Sequence, residues 1–130
     1  MASIMRRSAG KVPEKTDLPG LAWLLEASYS DMEEVLKGVA ANFSEETGPA
    51  DSWHQGLLDQ MVSPTAKRAA VLTPELRDQL DPYRAFRHFS RYSTFRILEW
   101  DQMAPLVEGF SRVADRFCSE VELFLTHKAP

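Results

Sequence analysis

The chain predicts an all-α fold, an up-and-down bundle of about four helices, and three observations carry that prediction. Apolar residues recur at spacings of three and four through several long stretches. Helix start signals stand ahead of most of those stretches. No stretch alternates apolar and polar residues as a half-buried strand would.

The first helix is expected over residues 18–43. Leu21, Leu24, Leu25, Met32, Val35, Leu36, Val39 and Phe43 form its stripe, with Ser28 and Tyr29 filling the gap. Asp17 and Pro19 suit its start, and Gly48-Pro49 marks a loop beyond its end. Ser52-Trp53-His54-Gln55 has the form of a capping box. It predicts a short second helix through Met61, followed by a loop over residues 62–72. Thr73-Pro74-Glu75 combines a capping hydroxyl, a proline at the first helical position and a carboxylate at the positive end of the dipole. The third helix then runs to about Ser93, with a kink expected near residues 80–83 because Pro82 removes a backbone donor. The last helix is expected over residues 101–126, capped by Asp101. Met103, Leu106, Val107, Phe110, Val113, Ala114, Phe117, Val121, Phe124 and Leu125 supply the clearest apolar stripe in the chain. Residues 1–16 read as a flexible tail and residues 17–127 as a single helical domain.

Composition narrows the function classes. With 130 residues, 44% apolar and 26% charged, the chain suits one globular domain and excludes wholesale disorder. A net charge of −4 argues against a general nucleic-acid coat but leaves room for a local basic site. Cys118, the single cysteine, excludes an intramolecular disulfide and reads as a packing residue of the last helix. No signal-peptide pattern and no membrane-spanning apolar run is present, so a cytoplasmic location is expected. The three histidines show no metal-ligand spacing, and no glycine-rich phosphate loop or nucleophile motif occurs, so neither metal nor cofactor is expected. His54 reads as a buried, hydrogen-bonded or simple surface residue. Trp23, Trp53 and Trp100 read as core anchors.

One segment stands apart. From Pro82 to Leu98 there is no acidic residue, while Arg84, Arg87, His88, Arg91 and Arg96 are gathered among Tyr83, Phe86, Phe89, Tyr92 and Phe95. On a helix, Arg84, Arg87, His88 and Arg91 share one side within about 100° of arc, with Tyr83, Phe86, Ser90 and Ser93 on the other. Guanidinium groups one turn apart repel one another unless a negative charge meets them. Solvation or pairing with carboxylates of the same bundle is one outcome. A phosphate, which Arg matches with paired donors, is the other.

The run Tyr83-Arg84-Ala85-Phe86-Arg87-His88-Phe89-Ser90-Arg91-Tyr92, with Leu98-Glu99-Trp100-Asp101 and Pro105-Leu106-Val107-Glu108 after it, resembles HEPN proteins of the HepT-like type. Ser30-Asp31-Met32-Glu33-Glu34-Val35-Leu36-Lys37 and Ser52-Trp53-His54-Gln55-Gly56-Leu57-Leu58-Asp59-Gln60-Met61 are similar to that family's first two helices. The resemblance implies a helical bundle that forms a homodimer with a basic cleft between protomers. It implies metal-independent RNA cleavage and a nucleotidyltransferase-type antitoxin as partner. It implies an Arg and a His on one helix, with four to six residues between them.

The chemistry explains those residue types. A His with an ordinary pKa of about 6.5 exchanges protons at neutral pH, and an Arg stabilises charge growing on phosphorus. Arg87 matches the family Arg, but Tyr92 stands where the His belongs and Thr94 where the family's modifiable Tyr would stand. A phenol with a pKa of about 10 is ionised in only about one molecule per thousand at pH 7. The expected catalytic set is therefore Arg87, His88 and Tyr92, with His88 the candidate substitute for the missing imidazole, and cleavage is expected to be weakened or lost. Arg84, Arg87, Arg91 and Arg96 are the expected RNA- or phosphate-binding set. The alternative expectation is a non-catalytic module that docks a nucleotidyltransferase or another protein.

Overall fold

Leu21, Leu25, Tyr29 and Leu36 stand four or seven residues apart along the first helix, and each is at most 2% exposed. That stripe is the spine of the fold. A computed structural model describes residues 13–46, 53–92 and 98–126. It contains four α-helices: α1 (Leu18–Asn42), α2 (Trp53–Val62), α3 (Pro74–Tyr92) and α4 (Trp100–Thr126). Among the described residues there is no strand. The expected all-α bundle is what forms.

A single 3-10 turn, Lys15–Asp17, leads straight into α1. Asp17 makes no side-chain cap bond, contrary to expectation, because its own backbone is already helical (φ −85°, ψ −19°). A capping side chain reaches back to the first turn from an extended backbone, and Asp17 does not have one. The other end of α1 is closed by a left-handed residue. Ser44 sits at φ 56°, and the Glu45 N–H donates to the Ala40 carbonyl at 2.9 Å. This six-to-one bond is the Schellman closure, here with Ser where Gly is usual.

The capping residue predicted for α2, Ser52, and the Gly48-Pro49 loop lie outside the described residues, as do residues 1–12 of the expected tail. The loop after α2 turns back on itself, so that the Val71 and Leu72 N–H groups both donate to the Met61 carbonyl at 2.8 and 3.1 Å. The start of α3 is as predicted. Thr73 Oγ1 accepts the Leu76 N–H at 3.2 Å, and Pro74 is the first helical residue. The helix runs on through Pro82. Pro82 and Asp78 are both exposed, so the Asp78 carbonyl that loses its donor lies on the solvent side of the helix.

Antiparallel pairing of α3 with α4 follows from contacts at both ends. Arg116 reaches Glu75 and Thr73 near the start of α3, each at 3.2 Å, and the Tyr83 hydroxyl donates to the Leu106 carbonyl at 2.6 Å further along. Phe43 and Phe124 meet edge to face at 6.0 Å, placing the end of α1 beside the end of α4. α1 and α4 therefore run together and α3 runs against both. Short α2 lies beside the C-terminal half of α1, its first turn at Glu33 and its last turn near Glu45.

Burying each large side chain of this core stabilises the fold by about 1.5–3 kcal/mol before chain entropy is set against it. Three expectations of burial are corrected. Trp23 is 64% exposed and anchors nothing, because it lies on the outer side of α1. Val35 is exposed as well, one residue and 100° around the helix from buried Leu36. Cys118 is exposed although its neighbour Phe117 is buried, for the same angular reason. Trp100 packs half-buried against the core.

Candidate phosphate-binding site

The arginines of α3 lie along the edge where α3 meets α1. Leu76, Leu80, Tyr83 and Ser90 are its buried residues, and Arg87 falls within the same arc. Arg87 is accordingly half-buried and turned toward α1, not placed on an outward face. Its Nε donates to the Ser30 hydroxyl at 2.6 Å. Among the described residues no carboxylate forms an ion pair with it.

The other cations on this edge differ in how far they are neutralised. Asp59 of α2 accepts from Arg77 Nε at 2.8 Å, and Arg77 in turn lies 3.8 Å from Asp81. Asp81 accepts from Arg84 Nε at 2.8 Å. The hydrogen bond from Arg84 holds the Asp81 carboxyl below its ordinary range, with the charges of Arg84 and Arg77 adding to it against the opposing effect of burial. Arg84 is thus committed to its own helix. One turn on, Arg87 meets a neutral hydroxyl, and one turn further Arg91 is exposed. Positive charge is progressively less neutralised toward the C-terminal end of α3.

The remaining predicted residues fall differently. His88 is exposed, 100° around the helix from Arg87. Tyr92 is the last residue of α3, and its side chain lies outside the described residues, as does Arg96. The structure therefore brings Arg84, Arg87 and Arg91 to one edge and sets His88 off to its side.

A second polar group was not legible from sequence. Glu33, on α1, has a side chain only 3% exposed, and its two oxygens stand 2.9 and 3.0 Å from His54 Nδ1 at the start of α2. One turn back on α1, the Tyr29 hydroxyl is buried with no partner in hydrogen-bonding geometry among the described residues. Burial, and then the neighbouring charge of Glu33 and hydrogen bonding to it, pushes its phenol far above the ordinary value, with Arg84 acting in the opposite sense. The spacing of Tyr29 and Glu33 is visible in the sequence. Nothing in the sequence pairs either with His54, which is 21 residues away in the chain.

Among the described residues no three of His, Cys, Asp and Glu gather as a metal site, and no helix is long and apolar enough to cross a membrane. A family model described as HepT-like protein matches residues 20–127. No curated protein and no solved structure matches the chain.

Proposed function

The chain belongs to the HepT-like family of HEPN proteins, and from that premise we propose that it is an RNA- or phosphate-binding subunit of a toxin–antitoxin-type module. Its own metal-independent cleavage is weakened, because Tyr92 occupies the position of the family imidazole. Its partners are a second copy of the chain and a nucleotidyltransferase-type antitoxin, in the cytoplasm.

The observation that supports this reading most is the state of Arg87. A half-buried guanidinium keeps five N–H donors and a full charge, and here its partner is a neutral hydroxyl. Such a group gains most from an external anion, and phosphate matches its planar fork with two parallel hydrogen bonds. Arg91 extends the positive edge by one turn, which suits two successive phosphates of a strand. The acidic net charge confines binding to this edge.

The test is a salt titration of binding to a labelled single-stranded RNA. Wild type is expected to bind with an affinity that falls linearly in log–log form as salt rises. Arg87→Ala is expected to weaken binding and to reduce the slope by about 0.7, the value for one phosphate contact on a single strand. Equal affinity and equal slope for the two proteins overturn the reading.

A further inference from the structure

We propose that His54, held by Glu33, is the proton acceptor for RNA cleavage at the Arg87 edge, in the place that the family gives to an imidazole at position 92. The proposal rests on the RNA-binding reading above.

The first observation is the pair itself. A carboxylate as buried as Glu33 is costly to the fold unless a donor meets it, and its two oxygens converge on one ring nitrogen of His54. A carboxylate acceptor assigns the proton to Nδ1, and the opposite nitrogen, Nε2, becomes the basic one. The imidazole is thereby fixed in both tautomer and orientation. The His54 side chain is 18% exposed and that of Glu33 only 3%, so solvent reaches the pair from the imidazole side.

The second observation is placement. Ser30 and Glu33 are three residues apart on α1, on one face with roughly 5–6 Å between their Cβ atoms. Arg87 arrives from α3 to meet Ser30, and His54 arrives from α2 to meet Glu33. A single turn of α1 therefore gathers the guanidinium and the imidazole from two different helices. His88 shares a helix with Arg87 but projects 100° away from it into the exposed arc.

The third observation is Tyr29. The buried Tyr29 hydroxyl makes no hydrogen bond of good geometry, yet Glu33 acts on it both by charge and by hydrogen bonding. Tyr29 lies one turn back along α1 from Glu33 and within the electrostatic reach of Arg84. It adds a polar group to the seam between the proposed base and the phosphate-binding arginines.

The step is an internal transfer. Nε2 of His54 takes the proton of a ribose 2′-hydroxyl, and the 2′-oxygen forms a bond to phosphorus as Arg87 stabilises the growing charge. The bond from phosphorus to the 5′-oxygen breaks, and that oxygen takes a proton from water. The products are a 2′,3′-cyclic phosphate and a 5′-hydroxyl. The imidazolium, stabilised meanwhile by the Glu33 carboxylate, returns its proton to solvent. Glu33 is a positioning residue in this scheme.

The experiment compares cleavage of a single-stranded RNA by wild type, His54→Gln, His54→Ala, His88→Ala and Glu33→Gln, with RNA affinity measured beside it. His54→Gln retains an N–H donor for Glu33 and so preserves the fold. Its cleavage rate is expected to fall on the order of 10²–10⁴-fold with affinity unchanged. Added imidazole is expected to restore cleavage by His54→Ala, a response that a purely structural role would not produce. Glu33→Gln should lower kcat and leave KM in place. Full cleavage by His54→Gln overturns the proposal, as does loss confined to His88→Ala. Absence of cleavage in wild type, with Arg87-dependent RNA binding intact, overturns this proposal and spares the binding reading. RNA binding indifferent to Arg87 removes both.

Discussion

Arg68 and Arg87 are both drawn into the body of the protein, yet what surrounds them differs in kind. The Arg68 side chain is fully buried. Its Nε and one Nη donate to the two oxygens of Glu45 at 2.5 and 2.7 Å. The carbonyls of Ser63, Ala69 and Gln60 accept at 3.1, 2.9 and 3.3 Å. All five donors of a guanidinium are used, and its charge is met by a carboxylate that Gln60 also holds, at 2.9 Å. Arg87 keeps one bond to a neutral hydroxyl. The difference teaches that burial alone does not mark a functional cation. An arginine whose donors and charge are satisfied inside the chain fastens structure, here the end of α1 to the loop between α2 and α3. One whose charge is left unmatched has binding capacity to offer.

The comparison can be broken by measurement. Arg68→Ala leaves Glu45 without its cation and strips three carbonyls of a donor, and it is expected to cost about 3–5 kcal/mol, read from the midpoint of urea unfolding. A cost below 1 kcal/mol would put Arg68 on the same footing as a surface cation.

Acid sharpens the contrast next. The hydrogen bond from Arg68 holds the Glu45 carboxyl below its ordinary value of 4.5, against the opposing effect of burial. A carboxyl depressed in the folded state stabilises the fold above that value, and the contribution is lost as pH falls through the folded pKa, because the unfolded state binds the proton first. Urea midpoints measured from neutral pH downward should therefore drop more steeply for wild type than for Glu45→Gln once the pH is below 4.5. Parallel curves would show that the pair carries no such linkage. The smallest effect is expected at Arg87. Its replacement by Ala should change unfolding stability by no more than about 1 kcal/mol, the value of one hydrogen bond, while weakening RNA binding. A loss as large as that of Arg68→Ala would make Arg87 a structural residue.

Features that depend on neighbours in the chain were the legible ones. Thr73-Pro74 caps α3 as predicted, since a capping bond spans only three residues. The stripe of α4 is buried at eight of the ten positions singled out for it; Ala114 is half-buried, and Leu125, one residue and 100° around from buried Phe124, is 50% exposed. Readings that depend on rotation about a helix axis were less secure. Trp23 and Cys118 are apolar in type but stand beyond the packed arc. Arg87 was read with the outward arginines and instead lies at the seam, because α1 covers that part of α3. The Glu33–His54 pair and the Arg68 clamp had no signal at all, as each joins residues more than 20 apart.

The sequence by itself determined four helices, their approximate bounds, the acid-free arginine run and the absence of the family imidazole at position 92. All of these are properties of composition and of a period of 3.6 residues, which one strand of text carries whole. Only the tertiary structure decided which arginine would be neutralised, by Glu45 or Asp81, and which would meet a hydroxyl. Ion pairing acts over a few ångströms between side chains from different helices. Their register is set by how the apolar stripes pack, so the partners are known only once the helices have met.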